Sequence, residues 1–86
     1  MYLSKSDKEW LGSTVDDVML GFSTDSSVSP RDVKNLAKTE VERRIRGKFR
    51  RQGAFGSIIS SILISIAIKI AIKLIEKWIK EHTDVL

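Results

Sequence analysis

Cysteine is absent from the 86 residues, so disulfide staples and thiolate metal sites are excluded. There is one histidine, His82, near the end of the chain, and no nucleophile, base and orienting group can be assembled around it. Asp16 and Asp17 are adjacent and would project to different sides of a helix, unlike a working carboxylate pair. Gly53 and Gly56 follow a basic segment and not a strand, so they do not form a phosphate-cradling loop. These absences argue against an enzyme, and neither a cofactor, a metal nor a small-molecule substrate is expected. Aromatics are scarce at 7%, and Trp10 and Trp78 read as packing or interface residues before stacking platforms.

Long uncharged runs are also missing. The longest apolar stretch, Ala54–Ile68, would make about 22 Å of helix, short of a hydrocarbon core of about 30 Å. Carrying it on to Ile75 gives about 33 Å but encloses Lys69 and Lys73, which are costly at mid-bilayer. The stretch lies toward the C-terminal end, so it does not read as a secretory signal.

What is present is an uneven distribution of charge. Residues 1–29 hold two lysines against five carboxylates, a net of −3; residues 30–52 hold nine cations against three carboxylates, a net of +6. The remainder carries +1, so the chain runs acidic, basic, then apolar. Blocks of this kind point to partners of opposite character, or to copies that pair one block with the other.

Five segments are expected. Residues 1–22 read as an acidic amphipathic helix, with helical residues 7–20, a capping box at Ser6 and Glu9, and Gly21 near its end. Residues 23–29 are a Ser-rich linker. Residues 30–52 form a basic amphipathic helix, capped by Ser29 with Pro30 first, interrupted only at Gly47 and turning Val33, Leu36, Ala37, Val41, Ile45 and Phe49 inward. Residues 53–82 form an apolar helix with a Gly/Ser/Lys seam, and 83–86 are a tail. Alternating Ile and Leu from Ile62 to Leu74 would also suit a strand. Ala67 and Ala71 and the four-residue seam favour a helix, and a strand of that length would be exceptional. The fold expected is therefore all-α: two amphipathic helices followed by a long, mostly apolar one, stable mainly in an oligomer, a larger assembly or a membrane.

Two sets of residues carry the functional expectation. Arg43, Arg44, Arg46, Lys48, Arg50 and Arg51 crowd one end of the basic helix. A solvated face paired with the acidic helix would be the plainer explanation. Carboxylates are missing from the block itself, however, so contact with a polyanion is favoured: lipid headgroups or nucleic-acid phosphates. The second set is the row Gly53, Ser57, Ser61 and Ser65 with the parallel pair Ala67 and Ala71, which would let helices of neighbouring copies approach closely. Lys69, Lys73 and Lys77 continue the seam, and Trp78 with Lys80 resembles an interfacial anchor.

Together these give a non-enzymatic helical protein that self-associates through its apolar helix, docks on an anionic membrane surface and permeabilises it. Its N-terminus would be cytoplasmic if the helix spans. The alternative is a soluble structural subunit of a larger assembly, for example a virus-particle accessory protein, whose basic helix contacts nucleic acid or an acidic partner.

Overall fold

The computed structural model describes residues 3–51 and 57–82, with backbone alone for Arg51 and residues 57–60. Three helices, α1 (Lys5–Ser23), α2 (Pro30–Arg51) and α3 (Ser57–Glu81), pack against one another around a single core. The expected joint at 52–56, including Gly53, and the tail at 83–86 lie outside the described residues.

α1 begins two residues earlier than Ser6 and Glu9 suggest. Ser4 is the cap: its Oγ accepts the Asp7 backbone N–H at 3.1 Å. The earlier start is tied down by Leu3, which is buried in the core immediately before the cap. Nor does Gly21 end the helix. The chain runs on to Ser23, and Thr24 closes it by donating its N–H at 3.1 Å and its hydroxyl at 2.7 Å to the Leu20 carbonyl. In the linker, Asp25 Oδ1 accepts from the Ser27 hydroxyl at 2.6 Å and the Ser27 amide at 2.9 Å. Those two bonds hold the Asp25 carboxyl below its ordinary value. Pro30 opens α2 as expected, and the Asp32 amide donates to the Ser29 carbonyl at 2.9 Å.

α2 runs through Gly47 without a break and buries a strict four-residue row: Val33, Ala37, Val41, Ile45 and Phe49. Leu36 is a correction to the expected face, being 41% exposed; it projects well to one side of that row. α1 contributes Leu11, Val15, Val18 and Met19, and α3 contributes Ala67, Ala71, Ile75 and Trp78. α1 and α2 run antiparallel: Trp10, early in α1, meets Phe49, late in α2, edge to face at 6.4 Å.

The apolar stretch is thus helical, and α1 and α2 cover much of its circumference. Ser61, Ser65, Lys69, Lys73 and Lys77 lie exposed on the side away from Ala67, Ala71 and Ile75. The cover is incomplete: Ile62 is 43% exposed, and Ile64, Ile66, Ile68 and Ile70 are only partly buried. Among the described residues, no helix is long and apolar enough to cross a membrane. The condition for a cytoplasmic N-terminus, a spanning α3, therefore finds no support in the described helices; the α3 lysines face outward from a folded globule.

Candidate anion-binding groove

The cations of the basic block do not act alike, because four of the six meet partners that the sequence of the block does not contain. Glu40, one turn upstream, accepts from Arg43 through Nε at 2.9 Å and Nη2 at 2.7 Å, and from Arg44 Nε at 2.9 Å. The Arg43 bonds, then those of Arg44, hold the Glu40 carboxyl down to about 2. Glu40 in turn raises Arg43. Arg44 also reaches Asp17 at 3.8 Å, linking α2 to α1. Lys48 lies over the Trp10 ring, 4.9 Å from its centroid. Arg46 has only a loose partner, Glu42 at 4.0 Å. Arg50 is exposed and has no carboxylate partner among the described residues. The Arg51 side chain lies outside them.

Arg46 and Arg50 stand one helical turn apart, so they project from one face of α2. Across from them, in the first half of α3, Ser61, Ser65 and Lys69 form a second row with the same one-turn step. The two rows face each other over a groove of about 440 Å³, lined by Arg46, Arg50, Ser61, Ile64, Ser65, Ile68 and Lys69. Three cations and two hydroxyls thus surround two isoleucines, and no carboxylate is among the described lining residues. A neighbouring depression shares Arg46 and Arg50 but includes Glu42 and Arg43, so its field is less one-sided.

The remaining expected site residues are dispersed. Ala67 and Ala71 are inside the bundle, at 0% and 2% exposure. The side chain of Ser57 is outside the described residues, as is Gly53 altogether. Lys73 and Lys80 are exposed, and Lys77 approaches Glu81 at 3.9 Å. Trp78, expected as an interfacial anchor, is a core residue whose ring stacks on His82 at 4.0 Å. His82 Nδ1 lies 2.9 Å from the Trp78 carbonyl oxygen, an interaction that fixes the ring at the end of α3. Among the described residues, no group of side chains is arranged to hold a metal.

Sequence reasoning found the arginines and the Ser/Lys row as separate features and did not pair Arg46 and Arg50 with Lys69. The shared one-turn step was the available signal; joining the rows required knowing which faces of α2 and α3 meet. No protein-family model matches this chain, and comparison with curated proteins and with solved structures likewise gives no match.

Proposed function

We propose that this small helical protein binds the surface of an anionic membrane through the groove between α2 and α3. One observation carries the reading. Arg46, Arg50 and Lys69 converge on a groove whose floor is Ile64 and Ile68, while Ile62 stands exposed on the same helix. A lipid surface offers both phosphate oxygens and acyl chains, and so answers both halves of that chemistry. A nucleic-acid backbone answers only the first. The protein lies on the bilayer and does not cross it. Contact between copies along Ser61 and Ser65 would close the same groove, so headgroup binding and self-association by that row exclude each other.

Flotation with vesicles tests the reading. The protein should float with vesicles containing phosphatidic acid or phosphatidylglycerol and stay behind with pure phosphatidylcholine. Salt should weaken the association. Each cation near an anionic surface contributes about 1 kcal/mol, so Arg46→Gln, Arg50→Gln and Lys69→Gln combined should lower partitioning by about 100-fold. Tight, salt-sensitive binding to DNA with no flotation would replace the membrane with nucleic acid.

A further inference from the structure

We infer that the α2–α3 groove is a stoichiometric site for one anionic glycerophospholipid, taking its phosphate between Arg46, Arg50 and Lys69 and one acyl chain along Ile64 and Ile68. The inference rests on the membrane reading and sharpens it from a charged surface to a defined site.

The donor set suits a phosphate. Two guanidiniums one turn apart supply forked N–H pairs that match phosphate oxygens, and Lys69 closes the opposite side as a point charge. The Ser65 hydroxyl, which makes no hydrogen bond among the described residues, adds a short donor between them. The lining suits more than a phosphate, because Ile64 and Ile68 stand beside the cations. The isoleucine floor has no role in holding a free ion.

The distribution of cations favours one headgroup over a polymer. A nucleic-acid backbone spaces its charges along a track and is met by a track of cations. Within the basic block Arg43 and Arg44 are engaged by Glu40 and Lys48 by Trp10, which leaves Arg46 and Arg50 as its less committed described cations, and both line the groove. A zwitterionic headgroup would bring its own cation into a groove that already holds three.

The test uses the full chain in solution, titrated with dihexanoyl phosphatidic acid below its micelle threshold and followed by amide NMR shifts. Inorganic phosphate and dihexanoyl phosphatidylcholine are the comparison arms. Phosphatidic acid should saturate at one lipid per chain, with the largest shifts in residues 61–69. Inorganic phosphate should bind at least about tenfold more weakly, the effect of burying roughly two methylenes of the chain. Phosphatidylcholine should not saturate. Ser65→Asp, an exposed substitution that leaves the core intact, should weaken the lipid by about tenfold or more through like charge in the groove. Equal affinity for inorganic phosphate would overturn the lipid assignment. Absence of saturation with flotation retained would overturn the site and leave the surface reading standing. Saturable lipid binding without flotation would uphold the site and defeat the surface reading.

Discussion

Arg44 donates to Glu40 from Nε at 2.9 Å and extends Nη1 toward Asp17 of α1, 3.8 Å away. One arginine of the basic block therefore serves the fold, closing α2 onto the acidic helix. Its neighbour Arg43 takes the other side of the same carboxylate. The positive end of α2 is sorted in this way into cations engaged by Glu40, Asp17 or Trp10 and cations that face the groove.

The first prediction concerns that carboxylate. The folded Glu40 carboxyl sits at about 2 against an ordinary 4.5, so its contribution is fully present above pH 4.5 and is lost as the pH falls toward 2. The pairs are near the surface, so screening keeps the contribution to about 1 kcal/mol or less. Glu40→Gln should lower the urea midpoint at pH 7 and leave it unchanged near pH 2. A deficit that persists undiminished at low pH would show that the loss is not ionic. The same substitution releases Arg43 and Arg44, and flotation on anionic vesicles should strengthen.

Gly12 and Gly21 give a second prediction. Both lie inside α1, and a Cβ built on either meets no atom within 4 Å outside the helix's own backbone. Alanine removes unfolded-chain entropy at no steric cost, so each substitution should stabilise by about 0.4–1 kcal/mol. Thermal or urea unfolding of Gly12→Ala and Gly21→Ala decides it; destabilisation at either position would mean that the open space is needed.

The three-helix arrangement was legible in the sequence because Pro30, the Ser-rich linker and the four-step apolar rows each act locally. Ile62–Leu74 is helical, as the helix preference of Ala67 and Ala71 suggests; the fold adds that both sit at the contact inside the bundle, where their small size lets α3 approach its neighbours. Less legible was what each polar residue would face. The basic block looked unpaired because its partners, Glu40, Glu42 and Asp17, lie one turn upstream or on another helix. Trp78 looked like an anchor because lysines flank it, yet Lys77 and Lys80 point to solvent while the indole packs inward. Facing across helices is decided by packing, and periodicity within one helix does not carry that information.

The two small-residue rows of α3 provide the last prediction, because the sequence treats them alike and the fold does not. Ala71 is 2% exposed, so Ala71→Leu forces extra methylenes into a filled contact and should cost about 1–3 kcal/mol. Ser65 is exposed, so Ser65→Leu should leave the unfolding free energy within about 0.5 kcal/mol of the parent's. If copies meet along the outer row, Ser65→Leu should also change the sedimentation profile of the parent protein, and short-chain phosphatidic acid should compete with that contact. An unchanged profile, together with weakened lipid binding, would assign the row to the groove alone. Equal stability losses at Ala71 and Ser65 would contradict the division of α3 into an inner face closed by the bundle and an outer face left to a ligand.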